Sequence, residues 1–252
     1  MNNKYGVIGI LGGMGPEATS NMYREIISST YVTKDQEHIP VIIYSNPQIP
    51  DRTKGILYGG ESPLPELLAT AKKLEYSGAD FIIIPCNTSH FFIKEVRASV
   101  NIPVISMIEE TLAFVKNKYP DVKKVGLLAT SGTVKTKIYH RAFNQEGIEV
   151  IAPENSEQET LVMGAIYDSE GIKAGYKKTS RKLLLKAALL LKERGAELIM
   201  MGCTEIPLAL KQKYVDCVLI DPTPILAEKA VTLAKSVDNS KTILIEEKEE
   251  RI

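Results

Sequence analysis

No apolar run in the 252-residue chain reaches the roughly 18 residues that a membrane span requires. The longest candidate, Leu183–Leu191, is interrupted by Lys186 and reads as a buried helix face. The chain start lacks a basic segment ahead of its apolar stretch Val7–Leu11, which runs straight into Gly12-Gly13-Met14-Gly15-Pro16. That is a strand and a turn, so neither a signal peptide nor a membrane partner is expected. Net charge is also absent, since Lys+Arg and Asp+Glu both number 31. A nucleic-acid partner would leave a basic excess and is not expected. A small anionic ligand needs only one or two cations in a cleft and is not excluded. Cysteine is scarce, with Cys86, Cys203 and Cys217 alone, which suits free thiols in a reducing cytoplasm better than a disulfide framework. Histidine is as scarce, and His38, His90 and His140 have no ligand-like spacing, so no structural metal is expected.

What is present is ordinary globular composition, 44% hydrophobic and 25% charged, which argues against disorder. Short apolar runs alternate with longer amphipathic segments. Strands are expected at Gly6–Leu11, Pro40–Ser45, Phe81–Pro85, Val104–Ser106, Lys124–Ala129, Ile148–Ile151, Leu198–Met201 and Val218–Ile220. Helices are expected at Glu17–Thr30, Pro63–Ser77, Ser89–Ser99, Met107–Tyr119, Thr133–Glu146, Ile172–Arg194 and Pro222–Ser236, with Ser62 capping the second of these. Such alternation predicts an α/β fold built from right-handed βαβ units with parallel sheet.

The chain also repeats itself. Lys4-Tyr5-Gly6-Val7-Ile8-Gly9 matches Lys124-Val125-Gly126-Leu127-Leu128-Ala129. Gly78-Ala79-Asp80-Phe81-Ile82-Ile83-Ile84-Pro85-Cys86-Asn87-Thr88 matches Gly195-Ala196-Glu197-Leu198-Ile199-Met200-Met201-Gly202-Cys203-Thr204-Glu205. Two pseudo-symmetric α/β lobes are therefore expected, residues 1–120 and 121–220. The helix at 222–236 should pack back on the first lobe, and 238–252 should form a peripheral tail.

The repeat gives the cysteines their meaning. Loops after the carboxyl ends of parallel strands carry ligand chemistry, and Cys86 and Cys203 each follow such a strand at matched positions. If the lobes face each other, the sulfurs oppose one another across a cleft. Two such groups on opposite sides of one carbon are what stereochemical inversion needs: one thiolate removes a proton and the opposed thiol delivers another. An unperturbed thiol pKa near 8.5 leaves both protonation states accessible, and helix N-termini after both strands should supply positive potential. Cys217 has no counterpart and reads as core.

Gly9-Ile10-Leu11-Gly12-Gly13-Met14-Gly15-Pro16-Glu17-Ala18-Thr19, Pro85-Cys86-Asn87-Thr88-Ser89-His90 and Gly202-Cys203-Thr204-Glu205-Ile206-Pro207 together resemble the cofactor-independent aspartate/glutamate racemase superfamily. The Gly-Gly-Met-Gly-Pro opening resembles its aspartate racemase branch, and the likeness extends to about Pro224. It implies Cys86 and Cys203 as the two acid/base residues, no pyridoxal phosphate, no metal, a small dicarboxylic amino acid as substrate, and a homodimer. It further implies Arg52 and Lys173 as carboxylate anchors, with Met14, Asn87, Thr88, Thr204 and Glu205 lining the site. Arginine's planar fork suits a carboxylate. Backbone N–H groups of Gly12–Gly15 offer an anion cradle, and Thr130 and Thr133 occupy the matching turn of the second lobe. The segment Ser45–Gly60 is expected to be a lid.

Competing readings are weaker. Gly13-Met14-Gly15-Pro16-Glu17-Ala18 satisfies the dinucleotide pattern G-x-G-x-x-A, but the second strand ends in Tyr44-Ser45-Asn46 without the acidic partner. No Gly-Lys-Ser/Thr exists for a P-loop. Cys86 and His90 are spaced i, i+4 like a dyad, yet His90 reads better as lining the first turn of its helix. Glutamate racemases carry Asp-Ser where this chain has Gly12-Gly13. Hydantoin racemase, maleate isomerase-like enzyme and non-catalytic small-acid binder remain as alternatives.

Overall fold

A computed structural model describes residues 4–249, with side chains through Val237. Eight strands, β1 (Ile8–Gly12), β2 (Val41–Ser45), β3 (Phe81–Ile83), β4 (Val104–Ile105), β5 (Lys124–Ala129), β6 (Glu149–Ile151), β7 (Leu198–Gly202) and β8 (Val218–Ile220), occupy the eight expected places. They form two parallel sheets, ordered β2-β1-β3-β4 and β6-β5-β7-β8. Ile8 pairs with Phe81 in the first sheet and Val125 with Leu198 in the second, so the same strands are central in both lobes. Ile8 answers Val125 and not Leu128, however: the first sequence match is three residues out of register, and the structural shift is that of the cysteine segments. In each sheet the chain leaves the first central strand to one side and returns on the other. Parallel sheets bind ligands at that switch point, beyond the strands' carboxyl ends.

Both faces of each sheet are covered, as parallel strands require. On the first, Ile8, Ile10, Phe81 and Ile83 pack with Met22 and Ile26, while Leu11, Ile82 and Ile84 face Leu67, Ala71 and Leu74. On the second, Leu127, Leu198 and Met200 meet Tyr139 and Phe143, while Leu128 and Ile199 meet Leu184, Ala187 and Leu191. The last helix, Pro222–Glu249, lays Leu226, Ala227, Ala230 and Ala234 against the first sheet's cluster. Gly6 N–H donates to the Ala234 carbonyl at 2.8 Å. This helix runs beyond the expected end at Ser236 because no proline or glycine follows Pro224 to stop it. Residues 250–252 of the expected tail lie outside the described residues.

Several other expectations need correction. The expected helix Thr133–Glu146 is two helices, Ser131–Lys135 and Ile138–Asn144, broken where Lys137 adopts φ 55°. Thr136 turns its hydroxyl onto the Gly132 carbonyl at 2.7 Å at this break. The expected helix from Ile172 begins only at Lys177, after a single 3₁₀ turn Ile172–Ala174 and Gly175 at φ 92°. Ser62 is not the cap residue itself, since the helix spans Leu64–Tyr76 with Pro63 flanking it, but its hydroxyl still accepts from Leu64 N–H at 3.3 Å. The expected lid contains a helix, Arg52–Leu57, capped by Asp51, whose carboxylate accepts from Lys54 N–H at 2.8 Å. A helical run at 155–167, absent from the sequence reading, completes the second lobe.

Candidate active site

The first turn of the site is made by glycine. Gly13 has φ 98°, and a Cβ there would lie 2.3 Å from the Asn46 carbonyl carbon, so only glycine permits this approach. Thr19 ties the turn to the helix Pro16–Thr30 by accepting from Gly13 N–H at 2.8 Å and donating to the Gly15 carbonyl at 3.0 Å. Gly13's amide is thereby occupied, and the anion cradle expected of Gly12–Gly15 is reduced. Met14 is the residue of this turn that reaches the cavity.

That cavity lies between the lobes and has a free volume of about 10 Å³, room for about one water. It is lined by Met14, Arg52, Cys86, Asn87, Thr88 and Thr130 together with Tyr167, Lys173, Cys203, Thr204 and Glu205. Both matched cysteines thus open into one space, as free buried thiols, 5% and 6% exposed. Every expected site residue is there except Thr133. Thr133 stands behind the wall, its hydroxyl 3.0 Å from Thr88 and 3.2 Å from Thr130, which are themselves 2.8 Å apart. This hydroxyl triangle joins the loop after β3 to the turn after β5. Gly132 makes the approach possible, because a Cβ there would meet Thr53 Oγ1 at 2.7 Å and Thr88 Cγ2 at 2.9 Å.

Two cations enter, one from each lobe. Arg52 is 9% exposed, donates to the carbonyls of Ile49 at 3.3 Å and Pro50 at 3.1 Å, and has a buried Nε without a partner. Burial opposes its charge, yet the acidic groups around it, Cys86, Tyr167, Asp51 and Glu205, outweigh burial and raise its pKa. Lys173 hangs from the 3₁₀ turn and lines the cavity. Its ammonium donates to Glu205 Oε1 at 2.9 Å and lies 5.3 Å from the Tyr167 ring centroid. Burial pulls its pKa down, but Glu205 raises it by more.

Glu205 also receives the thiol of Cys203, with Sγ 3.0 Å from Oε2, and Thr204 Oγ1 at 3.4 Å. Burial first, then the neighbouring carboxylate, push the Cys203 thiol well above its ordinary range, so it stands protonated. Burial would raise Glu205 as well, but Lys173 and these hydrogen bonds hold it below the usual carboxylate value. The positive potential expected from helix N-termini is small. Cys86 is followed only by a 3₁₀ turn and Cys203 by the four-residue helix Ile206–Ala209, so Arg52 and Lys173 supply the field instead.

His90 is fixed by two hydrogen bonds. Its Nε2 accepts from Met107 N–H at 3.0 Å, so Nδ1 carries the proton and donates to the Cys86 carbonyl at 2.8 Å. Both nitrogens are committed to the backbone, which excludes a Cys86–His90 dyad in this arrangement. Full burial lowers its pKa to about 4. Tyr167 and Tyr139 were not anticipated as site residues. Tyr167 OH donates to Asp51 Oδ2 at 3.2 Å across the mouth, and Lys177 pairs with Glu17 farther out, so two contacts bridge the lobes beside the cavity. Neither tyrosine has a counterpart in the repeat that would have marked it.

Fold and cavity define a two-lobed α/β protein with a pair of buried thiols and two cations converging on one small interlobe space. The chain belongs to the Asp/Glu/Hydantoin racemase family, whose profile matches residues 11–230. It is 26% identical over 230 residues to the broad specificity amino-acid racemase RacX of Bacillus subtilis, covering 90% of this chain and 97% of that protein. Among solved structures it is similar to an aspartate racemase of Picrophilus torridus at 28% identity and TM-score 0.80, covering 91% of this chain and 94% of the other. An aspartate racemase homologue from Pyrococcus horikoshii OT3 matches at 30% identity and TM-score 0.72, with 90% and 98% covered. No helix among the described residues is long and apolar enough to cross a membrane.

Proposed function

We propose that the chain is a cofactor-independent racemase of acidic amino acids, with aspartate as its principal substrate, working by two opposed thiols. The observation that carries this is the convergence of Cys86 and Cys203 with Arg52 and Lys173 on one interlobe cavity. Two cations fit two carboxylates, and because the free space holds only about one water, the lobes must part to admit a substrate. The partnerless Nε of Arg52 and the buried, partnerless Nδ2 of Asn87 are donors awaiting an acceptor, which a carboxylate supplies. The name of the Picrophilus torridus neighbour favours aspartate, and that of the Bacillus subtilis relative favours a wider range.

In the proposed cycle Cys203 starts as the thiol, held on Glu205, and Cys86 as the thiolate. Cys86 takes the α-proton, and the electron pair left on Cα is delocalised into the α-carboxylate, where a neighbouring cation offsets the developing charge. Cys203 then gives its proton to the opposite face. The product is the other enantiomer, with Cys86 now a thiol and Cys203 a thiolate. Each hydrogen bond from a charged donor contributes about 1.5–3 kcal/mol where it forms more strongly in the transition state. Both sulfurs belong to one polypeptide, so a homodimer, also proposed, is not needed to assemble the pair. The reading is tested by assaying aspartate, glutamate and neutral amino acids after dialysis against chelator and treatment with a carbonyl-trapping reagent. Undiminished racemisation of aspartate is expected, and activity restored only by metal or pyridoxal phosphate would refute it.

A further inference from the structure

We propose that Glu205 receives the α-ammonium group of the substrate, so that the cavity selects amino acids over dicarboxylates that lack an amino group. The proposal rests on the racemase reading above and gives it a substrate class. Glu205 is the sole carboxylate among the residues that line the cavity, and it is 6% exposed. Asp51, at the mouth, is engaged by Tyr167 OH and Lys54 N–H, and Glu17, farther out, pairs with Lys177. Set against aspartate, the charged side chains pair off. Arg52 and Lys173 answer two carboxylates, and Glu205 is left to answer one ammonium.

The hydrogen-bonding capacity is sufficient. A carboxylate offers about four lone-pair sites, and Glu205 takes close bonds from Lys173 Nζ and Cys203 Sγ and a further one from its own backbone N–H. The Thr204 hydroxyl, at 3.4 Å, has the Pro85 carbonyl at 3.3 Å as its nearer acceptor. The site opposite Thr204 is open to a new donor, since the threonine proton can turn wholly to the Pro85 carbonyl. Lys173 carries three N–H donors and spends one on Glu205, so it can hold Glu205 and a substrate carboxylate together. Charge balance points the same way. With Cys86 ionised, the two cations are offset by one thiolate and one carboxylate. Aspartate then adds one negative charge, whereas succinate adds two to a buried space where unpaired charge is costly.

The test is titration calorimetry of the full-length protein with L-aspartate and with succinate, beside racemisation assays. Wild type should bind aspartate at least about tenfold more tightly than succinate, as a charge-assisted hydrogen bond implies. Glu205→Gln keeps the shape and removes the charge. It should weaken aspartate by about 10–100-fold while leaving succinate unchanged or tighter, so the preference collapses. Glu205→Asp, which keeps the charge, should retain the preference in direction. It also supplies the comparison if Glu205→Gln does not fold. Wild type binding both ligands equally overturns the proposal, as does a Glu205→Gln protein that loses both in parallel or neither. A purely structural role at Cys203 would move the pH profile of turnover without changing this ratio. A wild type that neither binds nor racemises acidic amino acids overturns the racemase reading itself, and the Glu205 assignment with it.

Discussion

The phenol of Tyr139 donates to the side-chain carbonyl of Asn87 at 2.6 Å, binding the second lobe to the residue that follows Cys86. Asn87 is 2% exposed and Tyr139 fully buried, so this bond is made out of water. It leaves Asn87 Nδ2 buried without a partner while Asn87 lines the cavity. Tyr139→Phe strips Oδ1 of its donor and frees the amide to turn. The expected cost is about 1–3 kcal/mol of stability, that of an unmet buried acceptor. Urea titration should show it, together with a fall in kcat. A variant with both unchanged would show that the bond does not orient Asn87.

Cys86→Ala and Cys203→Ala should each abolish racemisation, while Cys217→Ala should keep it. Cys217 lies in the apolar cluster with Leu184 and Leu191, away from the cavity, and its truncation should cost about 1 kcal/mol or less. The surviving sulfur in either single mutant should still exchange the α-proton of one enantiomer only, which proton NMR in deuterium oxide would detect. Exchange of both enantiomers by a single-cysteine protein would contradict the opposed-thiol arrangement.

His90 gives a pH signature of folding. Its pKa is lowered by burial from 6.5 to about 4, so between those values the unfolded chain binds a proton that the folded chain refuses. Stability from this group is complete above pH 6.5, declines as pH falls, and is lost by about pH 4. The full span is of order 3 kcal/mol at about 1.36 kcal/mol per pKa unit. Replacing it by His90→Gln should flatten the stability profile across that window, measured by denaturant titration at successive pH values. An unchanged slope would mean that His90 titrates normally in the folded protein.

All eight strands were legible because each is a short apolar run bounded by turn residues, and the repeat paired the right strands, although its Lys4–Gly9 match stands three residues out of register. The cavity residues that sit in the two cysteine motifs were legible for the same reason. Helix interruptions were not. Lys137 at positive φ follows from Thr136 bonding back to Gly132, a competition that helical periodicity does not register. The helical run at 155–167 was hidden by its polar start, although Leu161, Val162, Ala165 and Ile166 have helical spacing and are buried. Gln158 anchors it by donating to the Ala129 carbonyl at 2.8 Å, a contact 29 residues distant in sequence. Tyr167 rides on that run, so missing the run meant missing the residue. Thr133 was assigned to the cavity on its neighbourhood to Thr130, but the turn directs it toward Thr88 instead.

The central claim is that two thiols act on opposite faces of one carbon, and isotope position tests it most directly. L-aspartate and D-aspartate are incubated separately in deuterium oxide, and substrate and product are recovered within the first few per cent of conversion. Two opposed thiols predict that the newly formed enantiomer carries deuterium at Cα while the recovered starting enantiomer retains protium, in both directions. Deuterium entering the recovered starting enantiomer as fast as the product, or product formed with its α-protium intact, would contradict the account.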